Sequence, residues 1–192
     1  MRKNYFSNTL KMLLTIVFSC VFMSVWAQSE IHVEKAGTLP SLLPTSENTL
    51  KITGSINGTD VKHLRKLISE GIVNSLDLSG VRIVKGGSAY DGTNKTEDDI
   101  IGPTMFKNFT NLRSVELPAT ITAIRSQAFA ATGLKKVDIP NTVSTLEDHV
   151  FADCSFLNTV VIGRRVSRMH QGVFYNSPVK TAFVKPETPP TT

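Results

Sequence analysis

Phenylalanine recurs at positions 106, 129, 151 and 174, in steps of 23, 22 and 23 residues. The segments between them match column by column: NLRSVELPATITAIRSQAF, GLKKVDIPNTVSTLEDHVF and FLNTVVIGRRVSRMHQGVF, then the partial copy PVKTAFVKPETPP. In Leu112-x-x-Val115-x-Leu117, residues 115 and 117 share one side of a short strand and point inward, while 116 points out. Ile121 and Ile124 turn inward on the returning segment, and Phe129 closes the coil. No single coil can bury these side chains. Stacked coils can, with Phe on Phe and Ile on Ile at ~4.8 Å per rung. The expectation is a β-rich α/β solenoid of about four rungs.

An earlier copy, IVNSLDLSGVRIV, places Val73, Leu76 and Leu78 in the same three columns. A period of this length headed by Leu-x-x-Leu-x-Leu is the leucine-rich repeat signature, which assigns residues 72–184 to the repeats. Cys154 falls within the pattern, three residues after Phe151, with Phe109, Thr132 and Ser177 as its counterparts. A column mixing small and apolar residues marks a semi-buried turn. The reading is an inert thiol rather than a nucleophile, since no His stands at a catalytic spacing from it.

Two stretches break the period. Residues 28–71 read as an N-terminal β/α cap that covers the first rung. IHVEKAGTL and TLKITGSI alternate as strands, and NGTDVKHLRKLISEG reads as a helix with Thr59 as N-cap, an apolar face of Val61, Leu64, Leu67 and Ile68, and Gly71 at the stop. The second stretch, residues 85–99 (KGGSAYDGTNKTEDD), is an insertion into the first repeat. Asp91, Asn94, Glu97, Asp98 and Asp99 offer oxygen ligands, yet they lack the alternate-position carboxylates of a calcium loop, so a solvated polar loop is expected. Residues 185–192 form a Pro/Thr-rich tail, readable as a linker to a further domain or as a frayed terminus.

The first 27 residues read as a secretory signal peptide: Arg2, Lys3 and Lys11, an apolar run from Met12 to Trp26, and small residues before Gln28. The run is too short to favour a spanning helix. A lipid anchor at Cys20 is disfavoured, because bulky uncharged residues follow where a polar tether belongs. The chain is then exported, to the cell surface, the extracellular space or the periplasm. Without the leader, 18 Lys and Arg face 16 Asp and Glu, a net charge of +2 rather than +5, which argues against nucleic acid as a partner. Cys154 is the one cysteine left, so repetition rather than a disulfide must hold the fold.

Outward columns of the strands supply the candidate binding face. One column runs Asp77, Glu116, Asp138, Val161 and Phe183; beside it stand Ser75, Ser114, Lys136, Thr159 and Thr181. Stacked carboxylates repel unless Lys136 or a cation relieves them. Arg164, Arg165 and Arg168 form a basic turn that could meet sulfated glycans or anionic surfaces. His149 and His170 sit one column apart with no third ligand, so no metal site is expected, and no cofactor motif is present. No acid–base pair, triad or phosphate loop is recognisable, which favours a non-enzymatic binding module. The alternative is a structural protein that self-associates through the last rung, where Val179, Phe183 and Val184 lie on an open edge.

LDLSGVRIVKGG, TEDDIIGPTMFKNFTNLRSVELPATITAIRSQAFA and KKVDIPNTVSTLEDHVFADCSFLNTVVI resemble the BspA-like leucine-rich repeat proteins, exported or surface proteins of host-associated anaerobic bacteria. The resemblance covers residue 31 to about residue 190. It implies adhesion to host matrix proteins, glycans, other bacteria or further cell-surface partners, and it carries over no catalytic residue. The chain is shorter than typical members, which leaves open a truncated version of a longer protein.

Overall fold

A computed structural model describes residues 30–42 and 48–185. The proposed leader with Cys20, and the tail beyond Lys185, lie outside the described residues. Within them the chain winds as a solenoid around one apolar core. Its first wall is built of short parallel strands: β1 (Glu30–Val33), β2 (Thr49–Ile56), β3 (Ser75–Ile83), β5 (Ser114–Glu116), β7 (Lys136–Asp138), β9 (Thr159–Ile162) and β11 (Thr181–Val184). A second wall carries β4 (Ile100–Ile101), β6 (Ala123–Ile124), β8 (Thr145–Leu146) and β10 (Arg168–Met169), each parallel to the next.

Seven strands on the first wall make about seven turns, not about four rungs. The difference arises in the segment read as a cap. β1 and β2 run parallel to β3, with Glu30 opposite Lys51 and Lys51 opposite Asp77. They bury Ile31, Val33, Leu50 and Ile52 in the same inward direction as Leu76 and Leu78. These early turns lack the Phe column because a helix, α1 (Gly58–Ser69), fills its place between β2 and β3. It is the one α-helix among the described residues.

The cap of helix α1 lies two residues before the expected Thr59. Asn57 is the N-cap: its side chain accepts from Thr59 N–H at 2.9 Å, and Asp60 accepts from Asn57 N–H at 2.8 Å, closing a capping box. Asp60 is fully buried and also accepts from Gly37 and Leu39 N–H, so one carboxylate ties the helix start to the segment after β1. Val61, Leu64 and Ile68 face the core, with Leu67 half-buried. Arg65 reaches across to the first Phe turn, donating to the carbonyls of Thr104 and Met105 and lying 5.0 Å over the Phe109 ring.

The Phe column forms as the period demands. Centroids are 5.3 Å apart from Phe106 to Phe129, 5.4 Å from Phe129 to Phe151, and 5.7 Å from Phe151 to Phe174, all nearly parallel. Backbone hydrogen bonds join the turns beside the rings, from Phe106 N–H to Ala128 C=O, Phe129 to Val150 and Phe151 to Val173. To present those groups, each turn holds two residues at positive φ, four apart: Thr104 and Asn108, Gln127 and Ala131, His149 and Asp153, Gly172 and Asn176. The column beneath is not semi-buried at its centre. Thr132 and Cys154 are buried; Thr132 Oγ1 and Cys154 Sγ both donate to Phe129 C=O, and Ser177 Oγ to Phe151 C=O. Burial also pushes the Cys154 thiol up, consistent with an inert side chain.

The 85–99 insertion is pinned rather than merely solvated. Tyr90 is buried and donates to Pro103 C=O at 2.8 Å. Asp91 accepts from Thr93 and Asn94 backbone N–H, from Asn94 Nδ2 and from Thr104 Oγ1 at 2.6 Å. Burial opposes ionisation of Asp91, but these hydrogen bonds outweigh it and hold the carboxyl well below the usual carboxylate range. Gly58 N–H donates to Gly86 C=O, so the loop also closes over the start of α1.

Candidate binding face

The first wall presents its outward column as one row. Asp77 pairs with Glu116 across β3 and β5, Asp138 with Val161 across β7 and β9, and Val161 with Phe183 across β9 and β11. Lys136 stands in the neighbouring column, opposite Thr159. Arg164 and Arg165 lie on the corner after β9, and Arg168 lies on β10 of the second wall. The structure therefore brings the six sheet-face residues together and sets the basic turn apart from them.

Relief of the carboxylates does not come from Lys136. Lys51, opposite Asp77, forms an ion pair of 2.8 Å with Glu30, and the hydroxyl and N–H of Ser79 both donate to Asp77 Oδ1. Asp138 pairs with Lys185, which returns from beyond β11 to the same face. Glu116 is exposed, with no side-chain hydrogen bond or ion pair among the described residues. Sequence reasoning missed Lys51 and Lys185 because one stood in the segment read as a cap and the other in the tail.

The row is broken at one place. Strands β3 and β5 are joined by ladder hydrogen bonds, as are β7 and β9, but β5 and β7 belong to separate sheets. The break coincides with a change in chain length. Phe106 to Leu112 is six residues, Phe129 to Leu134 is five, and Phe151 to Leu157 is six again. The missing residue tightens the corner, and Gly133 fills it: a Cβ there would stand 2.2 Å from Thr110 C=O. Arg113 passes over this corner and stacks 5.0 Å above the Phe156 ring, linking the turns on either side of the short one. At the other end of β5 and β7 lies an open depression of about 400 Å³, lined by Glu116, Leu117, Asp138, Asn141, Thr142 and Lys185.

The other wall holds an ion-pair cluster with a structural role. Arg125 donates to Glu147 at 2.7 Å and reaches Glu97 of the insertion at 3.4 Å, while Glu147 also accepts from Ser126. His149 packs edge-on against Tyr175, and His170 faces Asp148 at 4.0 Å. Among the described residues no three His, Cys, Asp or Glu side chains converge as metal ligands, and no helix is long and apolar enough to cross a membrane.

Residues 94–188 match the family model described as BspA type Leucine rich repeat region (6 copies). Among solved structures the chain is similar to a leucine rich cell surface protein from Faecalibacterium prausnitzii, at 14% identity and a TM-score of 0.28, over 81% of this chain and 64% of that one. The chain thus spans less than two thirds of that protein's length. No curated protein matches.

Proposed function

Since the chain belongs to the BspA-type leucine-rich repeat family through residues 94–188, we propose that it is an exported, non-enzymatic surface module that binds a protein or glycan partner through the outward face of its first wall. Export is supported by the leader pattern of residues 1–27. The observation that carries the choice of face is the interrupted row between β5 and β7. There Glu116 stands exposed at the rim of an open depression, with Asp138 and Lys185 across it. An exposed carboxylate beside a shallow recess favours a partner that brings a cationic or hydrogen-bond-donating group, and steers its approach. Val161 and Phe183 continue the same row with apolar surface, so the face offers charge at its centre and contact area toward β11.

The experiment is binding of the purified protein to immobilised matrix proteins and to sulfated and neutral glycans, at low and high salt. Saturable binding that Glu116→Lys weakens by about tenfold or more assigns the partner to this face. Binding unchanged by Glu116→Lys removes the face from the account, and no binding across the panel removes the adhesive function.

A further inference from the structure

One residue before each strand from β2 onward on the first wall, the chain turns a corner. The corner residues stack along the solenoid axis: Asn48, Asn74, Arg113, Lys135, Asn158 and Lys180. Backbone hydrogen bonds tie them together, from Asn74 N–H to Asn48 C=O, Arg113 to Asn74, Asn158 to Lys135 and Lys180 to Asn158. From the first Phe turn onward, the corner segments 107–115, 130–137, 154–160 and 175–184 carry charge of one sign. They hold Lys107, Arg113, Lys135, Lys136 and Lys180, and no Asp or Glu. Lys107 is taken up by Gln127 Oε1 at 2.7 Å. Arg113, Lys135, Lys136 and Lys180 are exposed and form no ion pair among the described residues.

Arg113 does not stay on its own rung. A Cβ on Gly133 would stand 3.0 Å from Arg113 Nη1, and the guanidinium lies 5.0 Å over the Phe156 ring. The charge is thus carried across the short turn to the turn that supplies Asn158. Phe156 remains 52% exposed beside it. Asn158 Oδ1 accepts from Thr159 Oγ1, which leaves the amide N–H groups to face a ligand. Carboxylates flank this row without entering it. Glu116 and Asp138 stand three residues beyond Arg113 and Lys135, ~10 Å along a strand and about one screening length at 0.1 M salt. Asp138 is paired with Lys185, and Glu70, at the end of α1, with Lys66. On the side of the Phe turns, Asp153 accepts from Asn176 Nδ2.

We propose that the corner row binds a linear sulfated polysaccharide laid along the solenoid axis. Its cations follow one another at the rung spacing, ~4.8 Å, in a straight line. A pyranose ring is close to one rung in length, so sulfates on successive sugars fall beside successive turns, and the C–H face of one sugar can pack on Phe156. A protein partner would need apolar contact area at its centre, and the row offers one exposed ring. Nucleic acid would call for a strongly basic domain, whereas residues 28–192 hold 18 Lys and Arg against 16 Asp and Glu. The inference goes beyond the outward face and shares only Lys136 with it, so either site can fail alone.

The test is isothermal titration calorimetry of the protein with a heparin octasaccharide, beside its desulfated counterpart, a polyglutamate peptide and a single-stranded oligonucleotide. The expected result is saturable binding of the sulfated chain, weakened by high salt and by about tenfold or more in Arg113→Gln/Lys135→Gln. Lys180→Gln and Phe156→Ala should each weaken it by about threefold or more. Glu116→Lys and Arg165→Gln/Arg168→Gln should not weaken it. All of these substitutions are at exposed sites, and an unchanged circular dichroism spectrum checks that each variant is folded. Absence of binding, or equal binding after desulfation, would overturn the proposal. So would tighter binding of the polyglutamate or the oligonucleotide, or a loss in Arg165→Gln/Arg168→Gln that Arg113→Gln/Lys135→Gln does not reproduce.

Discussion

Truncating the Phe column should cost the protein most at its centre. Phe129 is fully buried between two parallel rings, at 5.3 Å and 5.4 Å, and no side chain nearby can collapse into the space without leaving its own rung. Removing a buried Phe side chain costs ~3–5 kcal/mol, and each lost aromatic pair contributes ~0.5–1.5 kcal/mol, so Phe129→Ala belongs at the upper end, about 4–5 kcal/mol. Phe174 is half-buried with one ring neighbour at 5.7 Å, and Phe174→Ala should cost about half as much, ~2 kcal/mol. Urea unfolding followed by far-ultraviolet circular dichroism measures both. With a slope of ~2 kcal/mol/M, the two midpoints should separate by about 1 M. Equal losses at the two positions, or a loss below about 1 kcal/mol at Phe129, would refute a continuous ladder core.

Three further outcomes follow from the same geometry. Asp60→Ala leaves the N–H groups of Gly37, Leu39 and Asn57 without their acceptor, and should lower stability by ~3 kcal/mol or more in the same urea assay. Ala131 holds φ 55°, so Ala131→Gly should raise thermal stability by ~0.5–1 kcal/mol once the ~1–2 kcal/mol left-handed penalty is set against glycine's unfolded-state entropy, while Ala131→Val should lower it. Asp91 has a folded-state pKa below its unfolded value, so its stabilisation is full above about pH 4 and is lost as pH falls further; the stability gap between the wild type and Asp91→Asn should close in acid.

The repeat columns were legible because each inward position recurs in type: Val115, Val137 and Val160, or Ile124 and Leu146, are buried as the period requires. The strand TLKITGSI is β2 residue for residue. The early turns escaped because α1 and the 3-10 turn Leu39–Ser41 replace the Phe turn, so β1 and β2 keep the two-residue alternation without the longer period. The left-handed positions were hidden by residue type: Gly172, Asn108, Asn176, Asp153 and His149 suit that conformation, but Thr104, Gln127 and Ala131 adopt it only because neighbouring turns hold their backbone. The one-residue-short turn was visible as the 22 among the 23s. The lapse between β5 and β7 and the Arg113–Phe156 stack were not, since they depend on how three turns pack. On the binding face, the Asp77–Glu116–Asp138 row could be read directly, but Lys51, in register with Asp77, and Lys185, paired with Asp138, lie outside the stretch recognised as repeats.

Carboxyl footprinting tests the central claim most directly. The protein is labelled with carbodiimide and glycine ethyl ester, free and bound to the partner that the binding panel identifies, and each site is read by mass spectrometry. The account predicts that Glu116, on the first wall beside the depression, loses most of its labelling in the complex, while Asp148 and Asp153, in the turn that carries Phe151 and off the first wall, label as before. Glu116 labelling unchanged in a saturated complex would contradict it.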